Sequence, residues 1–311
     1  MEVPFPVLAR LLQDPPPEFV FEVAPDCIRM ARTADPAHIQ TQPLPAGVVS
    51  PSPLHDNIGL PELLDEAVKK LVPPARSKKR RTAALLLPDH SAHISVVEFV
   101  GLPENHEERA ALIRARVRRS VPFDVDGAAM SYWVQSGTGS SSVKTGSKPK
   151  RDVVVVVTPP EIVQRYESSF ISAGIHPGLV SLAPLACLDL VDVHGIALVG
   201  RLSGSVLTIL VKDVQTLKLA RSIELENPPT DAASLEEIAG HLHQTLVYVE
   251  DNLGGPALEL LLAGFGTLQA EAAREYPAAF QVPVRVLGGA DTAIRGYLRT
   301  SGRSSASGAA A

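Results

Sequence analysis

The sequence predicts an α/β protein of two domains, and its length, its composition and its strand and helix patterns all support that class. At 311 residues the chain is long enough for two domains, each with its own core. It is 45% hydrophobic and 20% charged, which is typical of a globular protein. The β-branched run at residues 152–158 indicates a buried strand, and the periodic apolar positions of residues 60–71 indicate a helix.

The composition argues against a membrane-spanning, secreted or nucleic-acid-binding protein. A formal net charge of −5 gives no overall attraction to nucleic acid. No run of 18 apolar residues occurs, and residues 1–17 lack the basic segment and apolar segment of a secretory signal. Cys27 and Cys187, the two cysteines, form neither a CxxC motif nor a zinc-binding spacing. We therefore expect a protein of the reducing cytosol.

The first 81 residues predict an arm, a hairpin and a basic run. Residues 1–17 end in three prolines and are expected to form a mobile N-terminal arm. Residues 19–33 alternate with the period of strands, and residues 24–26 form the turn between two of them. The basic run at residues 76–81 suits contact with anionic lipid or nucleic acid. A solvated loop is favoured, because no aromatic residues that would stack on bases lie nearby.

A polar turn joins two predicted strands at residues 82–87 and 93–100. The residue types in this turn suit a metal site, but their spacing is not diagnostic of one. An ordinary polar turn is therefore favoured for these four side chains, Asp89, His90, Ser91 and His93.

A helix predicted over residues 104–120 is acidic in its first turn and basic in its last turn. The basic end is a candidate partner surface, although complementarity to the helix dipole is a sufficient explanation. Its arginines are Arg114, Arg116, Arg118 and Arg119. A strand at residues 128–135 follows, and residues 136–150 are rich in glycine, serine and lysine, which predicts a mobile loop.

The stretch from residue 196 to residue 223 predicts three apolar strands joined by short turns. The first turn, at residues 200–204, contains glycine and serine, and turns of this kind present backbone N–H groups to anions in phosphate-binding folds. An ordinary hairpin is the simpler interpretation, since glycine and serine suit any turn. A long helix follows over residues 234–253, and residues 300–311 are predicted to be a disordered tail.

Four passages, by their order and spacing, carry a resemblance to a known family. They include the turn at residues 121–123 after the arginine-rich helix and the Ala-Pro-Leu-Ala sequence at residues 183–186. The passages are residues 81–135, 152–190, 196–223 and 258–268. Together they resemble PilM, the cytoplasmic actin-like protein of type IV pilus assembly, which is related in architecture to the division protein FtsA.

The resemblance implies an α/β, actin-like (ribonuclease H-like) two-domain fold with an inserted small α+β subdomain. Residues 18–81 and 159–194 would form the first actin-like subdomain. The inserted subdomain would comprise residues 82–158, and the second actin-like domain residues 195–299.

The resemblance also implies where a nucleotide would bind. The first phosphate loop would lie on the first hairpin, the second phosphate loop after the first central strand, and the adenosine loop after residue 262. The corresponding residues are Ala24, Asp26, Cys27, Arg29, Gly200, Ser203, Gly204, Ser205, Gly264, Phe265 and Gly266.

Departures from the family pattern in all three loops predict that nucleotide binding is weakened or lost. Pro25 removes one N–H donor, and Asp26 places a negative charge where phosphate would lie, which opposes ATP by on the order of a few kcal/mol. Gly200, followed by Arg201, stands where the family has the acidic residue that organises magnesium. Phe265 replaces a glycine and would either stack on a base or fill the cleft. No catalytic residue and no metal ligand are predicted; ATP with magnesium is the alternative to a site without a cofactor.

The resemblance further implies a scaffold that docks the cytoplasmic N-terminal tail of a PilN-like inner-membrane protein. In the family the groove lies between the inserted subdomain and the first subdomain, which here implies residues 114–123 and their neighbours. Pilus motor and platform proteins and self-association are further expected partners, and nucleic acid is not. The protein is expected in the cytoplasm, held at the inner membrane through its partner, in a pilus or a related secretion system. The alternative is a nucleotide-binding actin-like ATPase that acts as a switch in the same machine.

Overall fold

A computed structural model of the protein describes residues 16–74, 80–135, 150–227, 229–230 and 232–307. The strands in these ranges are β1 (Phe19–Val23), β2 (Cys27–Arg32), β3 (Asp35–Pro43), β4 (Arg81–Leu87), β5 (His93–Val100), β6 (Ala129–Val134), β7 (Lys150–Thr158), β8 (Ile175–Leu182), β9 (Ile196–Ser203), β10 (Val206–Asp213), β11 (Thr216–Glu224), β12 (Glu259–Ala263) and β13 (Val284–Gly288). The α-helices are α1 (Pro61–Leu71), α2 (His106–Val117), α3 (Pro160–Ser172), α4 (Ala183–Cys187), α5 (Ala232–Asn252), α6 (Gln269–Phe280) and α7 (Thr292–Ser307). Three predicted segments lie mostly outside the described residues. They are the N-terminal arm, the loop at residues 136–150 and the basic run at residues 76–81.

The first lobe is built on a five-stranded sheet with the order β3-β2-β1-β4-β8. Strands β1, β2 and β3 form an antiparallel meander, β4 runs parallel to β1, and β8 runs parallel to β4. All five residues of β1 are buried, as expected for an interior strand covered on both faces. Helices α1 and α3 pack on one face of the sheet, and α4 and α7 pack on the other.

The second lobe repeats this topology with the strand order β11-β10-β9-β12-β13. Strands β9, β10 and β11 form the antiparallel meander, and β12 and β13 continue the sheet in parallel from β9. The buried faces of α5 and α6 share one hydrophobic core with this sheet. Both lobes therefore present the first hairpin turn of their meander, and the turn that follows the fourth strand, at corresponding places.

A small insertion lies between β4 and α3. Its antiparallel sheet has the order β5-β7-β6, and Ile113 and Val117 of α2 pack on the valines of β7. The side chain of Asn105 accepts hydrogen bonds from the backbone N–H groups of Glu107 and Glu108, which begins α2 with a side-chain cap. The insertion is therefore a compact α+β unit with its own core.

The predicted start of the insertion at residue 82 is wrong by one strand. Strand β4 pairs in parallel with β1 on one side and with β8 on the other, so it belongs to the first lobe. Its residues from Ala83 to Leu87 are all buried. Alternate residues of β4 enter the two cores on opposite faces of the first sheet, so the helices of the first lobe cover this strand on both faces.

The predicted end of the second domain at residue 299 also needs correction. Helix α7 leaves the second sheet and packs on the first lobe, where Ala293, Ile294 and Leu298 share a core with Val20 and Ala186. The helix continues to Ser307, although a disordered tail was expected from residue 300. The apolar positions of its first turns are covered by the first lobe, and this anchors a helix whose last turns are rich in serine.

Within the described residues, no helix has the length and apolar character needed to cross a membrane.

Candidate functional site

Two of the three predicted nucleotide loops touch each other directly where the lobes meet. In the β1–β2 turn, the N–H of Ala24 donates to the carbonyl of Cys27 at 2.9 Å, so this donor is already used. Pro25 lies against Gly204 of the β9–β10 turn, where an added Cβ would come within 3.0 Å of the proline Cγ. The two turns that would hold the phosphates are therefore in van der Waals contact.

The remaining groups of the first loop offer little to an anion. Asp26 is exposed, and its carbonyl accepts the N–H of Leu44 at 2.8 Å. The thiol of Cys27 donates to the Asp26 carboxylate at 3.4 Å. Burial raises the pKa of Cys27 to about 12, so the group stays a thiol at neutral pH. The side chains of Pro25, Asp26 and Cys27 therefore supply no positive charge to an anion.

The centre of the lobe contact holds a buried group of charges, here named the interlobe ion cluster: Glu22, Arg29, Asp89 and Arg201. Arg201 of β9 donates from Nη2 to Oε1 of Glu22 on β1 at 2.7 Å, and its Nη1 pairs with the carboxylate of Asp89, which follows β4. Arg29 on β2 lies 3.6 Å from the same oxygen of Glu22. The cluster thus joins the second lobe to two elements of the first.

Burial and the neighbouring charges shift the pKa values of Glu22 and Arg201 in opposite directions. Burial raises the pKa of Glu22, while Arg201 and Arg29 act to lower it. Burial also lowers the pKa of Arg201, and the carboxylate of Glu22 opposes that shift. Two carboxylates and two guanidinium groups balance in charge, which is the condition under which ionised groups persist away from water.

Sequence reasoning did not identify Glu22 as a site residue. It considered Asp89 only for a metal site in a polar turn, and it mentioned Arg201 only as the neighbour of Gly200. A signal was present, because Glu22 interrupts the apolar run of β1 and Arg201 interrupts the apolar run of β9. A charged residue inside a buried strand requires a partner, although the sequence does not say which one.

The predicted adenosine loop is packed into the core of the second lobe. Phe265 is buried in this core and lies against Gly200, where an added Cβ would be 3.8 Å from the phenyl ring. Gly264 has a positive φ of 72° and approaches the carbonyl of Leu202 too closely to carry a side chain. The ring of Phe265 is therefore buried inside the second lobe, in contact with Gly200.

The other predicted loop residues remain near the surface of this contact. Gly204, Ser205 and Gly266 are exposed, and Ser203 is partly buried. The two buried carboxylates of this contact, Glu22 and Asp89, both pair with Arg201, so neither is free to hold magnesium. In the described part of the chain, no group of three histidine, cysteine, aspartate or glutamate residues is arranged to hold a metal ion.

A second candidate site is a groove between the insertion and the first lobe, with a volume of about 270 Å³. We call it the insertion groove. Trp133, on the edge strand β6, is 42% exposed, and it is the one tryptophan of the chain. In the described part of the chain the side chains that line the groove are uncharged: Leu87, Ala92, Ala129, Met130, Ser131, Trp133, Val156, Thr158, Val163, Val180, Ser181, Leu182 and Leu185.

The groove lies between the insertion and the first lobe, yet its lining does not come from residues 114–123. Arg114 instead supports the insertion from within, because its guanidinium donates to the backbone carbonyls of Val125 and Ala128. Val117 and Val121 are buried in the core of the insertion. Apart from Ala92, the lining comes from strands β4, β6, β7 and β8 and from helices α3 and α4. Only the packing of the insertion on the first lobe brings these elements together.

No protein-family model matches this sequence, and no curated protein matches it. A solved structure entitled PilM-PilN type IV pilus biogenesis complex matches with a TM-score of 0.72 at 14% sequence identity. The match covers 91% of this chain and 98% of that chain. The protein has a PilM-like, actin-like fold.

Other solved structures resemble this PilM-like chain less closely. The cytoplasmic domain of EpsL, an inner membrane component of the type II secretion system of Vibrio cholerae, has a TM-score of 0.45 at 12% identity and covers 78% of this chain and 80% of its own. MreB5 of Spiroplasma citri bound to AMPPNP has a TM-score of 0.49 at 11% identity. This match covers 95% of this chain and 100% of that chain.

Proposed function

We propose that this PilM-like protein is a scaffold of type IV pilus or related secretion-system assembly, and that it docks the cytoplasmic N-terminal tail of a PilN-like inner-membrane protein. The observation that carries the proposal is the insertion groove, an uncharged cleft in a fold whose solved relative is a PilM-PilN complex. Docking through that tail would hold the protein at the cytoplasmic face of the inner membrane. Pilus motor or platform proteins and further copies of the chain are proposed as additional partners.

The lining of the insertion groove indicates the chemistry of the segment that it takes. Trp133, Met130 and Val180 present apolar surface that is only partly covered. Burying a charged side chain against these residues would cost several kcal/mol, whereas burying an aliphatic or aromatic side chain contributes about 2 kcal/mol. The proposed occupant is therefore a short apolar stretch of the tail, with its charged residues outside the groove.

The insertion is held in place from the second lobe, which favours a preformed groove. The side-chain amide of Gln135 bonds both backbone groups of Leu217 on β11, donating at 2.7 Å and accepting at 2.6 Å. Lys218 pairs with Asp152 of β7 at 3.0 Å. A groove whose walls are fixed before binding loses less conformational entropy when the tail docks.

The position of the one tryptophan provides a direct test of docking. We expect a synthetic peptide of the cytoplasmic N-terminal segment of the PilN-like protein from the same genome to shift the emission of Trp133 to shorter wavelength. The reason is that the indole, now 42% exposed, would lose water when the groove fills. Fluorescence titration measures the shift and the affinity. A peptide of the same composition in scrambled order is the control, and an unchanged emission spectrum at saturating peptide would contradict the proposal.

We propose in addition that the scaffold works without a bound nucleotide. The contact of Pro25 with Gly204 and the burial of Phe265 support this, because the two turns touch each other and a ring buried in the core of the second lobe presents no exposed face to a base. The alternative is a nucleotide-dependent switch.

Calorimetric titration with a non-hydrolysable ATP analogue separates these two possibilities. We expect no binding tighter than about 100 μM, which corresponds to about −5.5 kcal/mol, with or without magnesium. Binding that is tighter than this and requires magnesium would assign the protein to the nucleotide-switch class. The tail titration, repeated with and without the analogue, shows whether any nucleotide that binds also changes docking.

A further inference from the structure

We infer that Glu22 and Asp89 form a cation site in the first lobe, and that its resident cation is the guanidinium of Arg201 from the second lobe. The chain thereby supplies the positive charge that holds its two lobes together. This inference concerns the interlobe ion cluster and does not depend on the proposed docking function.

The geometry places one cation between two carboxylates from separate segments. Arg201 binds Glu22 through Nη2 at 2.7 Å and Asp89 through Nη1. The three side chains are at most 3% exposed. Glu22 lies within β1, and Asp89 lies two residues after the end of β4. These two strands are adjacent and parallel, and their pairing sets their positions. The carboxylates are thus held by the first lobe alone, and the guanidinium arrives from the second.

The carboxylate of Asp89 depends on this cation. Both of its oxygens lack a hydrogen-bond partner among the described residues, so the ion pair with Arg201 is its identified polar interaction. Glu22 has a second cation in Arg29, but at the longer distance of 3.6 Å. Removing Arg201 would leave two buried carboxylates with one cation, Arg29, which lies beside Glu22 only, and this is strongly unfavourable.

The same contact closes the lobes. Arg201 lies three residues before Gly204, and Gly204 is the residue that Pro25 of the first lobe touches. Charge pairing at Arg201 and van der Waals contact at Gly204 therefore act on the same turn. This internal ion pairing keeps the two lobes in contact without a bound ligand.

Rescue by an external cation tests the site. We expect Arg201→Ala to lower the melting temperature by about 10 °C. The same variant leaves a space of guanidinium shape between Glu22 and Asp89, so guanidinium chloride at ~20 mM should restore about 3 °C or more. Sodium chloride at the same ionic strength should not. Guanidinium chloride should not raise the melting temperature of the wild type. It should also not raise that of the double variant Glu22→Gln with Arg201→Ala.

An exposed arginine serves as the matched control. Arg285 also binds a carboxylate, that of Glu259 at 3.1 Å, but it is half exposed. Arg285→Ala should change the melting temperature by about 1 °C or less and should show no rescue by guanidinium. Equal behaviour of the two alanine variants would overturn the inference.

A second pair of variants keeps the inference testable if Arg201→Ala does not fold. Arg201→Lys retains a cation and Arg201→Gln does not, so the lysine variant should be the more stable of the two. Hydrogen exchange at residues 24–27 and 203–205 should be faster in the glutamine variant than in the wild type, because the lobes open. Equal stability of the two variants, or unchanged exchange at both turns, would show that no cation is required.

Discussion

Replacing Gly296 with alanine is expected to lower the free energy of unfolding by about 3 kcal/mol. Gly296 lies in α7, where this helix crosses α4, and a Cβ at this position would overlap the carbonyl oxygen of Ala186 and lie 2.9 Å from the carbonyl carbon. Both obstacles are backbone atoms of a helix, so they cannot move aside as a flexible side chain could. Urea denaturation of the wild type and of the Gly296→Ala variant measures the difference in the free energy of unfolding.

The helix propensity of alanine would predict the opposite sign. In an exposed helix, alanine is more favourable than glycine by about 1 kcal/mol. Gly240 in α5 offers this case, because a Cβ there meets no atom within 4 Å. Gly240→Ala is expected to raise the free energy of unfolding by about 0.5 to 1 kcal/mol. If Gly296→Ala were also stabilising, the close docking of α7 on the first lobe would be incorrect.

Replacing Trp133 with alanine is expected to weaken tail binding by about 30-fold or more, which corresponds to about 2 kcal/mol. Trp133 presents the largest side chain of the insertion groove, and an aromatic anchor in a partly open apolar cleft is the usual centre of binding energy. Because this variant has no tryptophan, fluorescence anisotropy of a labelled tail peptide, or calorimetry, is the measurement.

Leu112 provides the control for Trp133. It is 41% exposed on α2, also on the insertion, but it does not line the groove. Leu112→Ala is expected to change the tail affinity by less than about 2-fold, as is usual for a residue outside an interface. Similar losses for both variants would show that the tail binds elsewhere on the insertion, and no loss for either would remove the groove from the proposed function.

The secondary structure and the α/β class could be predicted because they depend on local patterns, whereas the actin-like fold was predicted from the resemblance to PilM. Period-2 alternation in residues 19–33 and the apolar stripe of residues 60–71 each describe one segment and its burial. Predicted boundaries were wrong where a segment with a correct pattern joined a different partner. Strand β4 completes the first sheet instead of beginning the insertion, and α7 returns to the first lobe instead of ending the second.

The two candidate sites likewise have features that were predicted from the sequence and features that only the tertiary structure shows. From the sequence, the resemblance to PilM predicts that Pro25, Asp26, Gly200 and Phe265 depart from the pattern of nucleotide loops. Only the tertiary structure decided that Arg201 pairs with Glu22, which is 179 residues away, and that the groove is lined from β6, β8 and α3. The physical reason is the separation in sequence of the residues that interact. Hydrogen bonding and burial within a segment depend on neighbouring residues, so they can be predicted from the sequence of that segment. Which buried charge meets which, and which apolar faces enclose a cleft, depends on the packing of the whole chain.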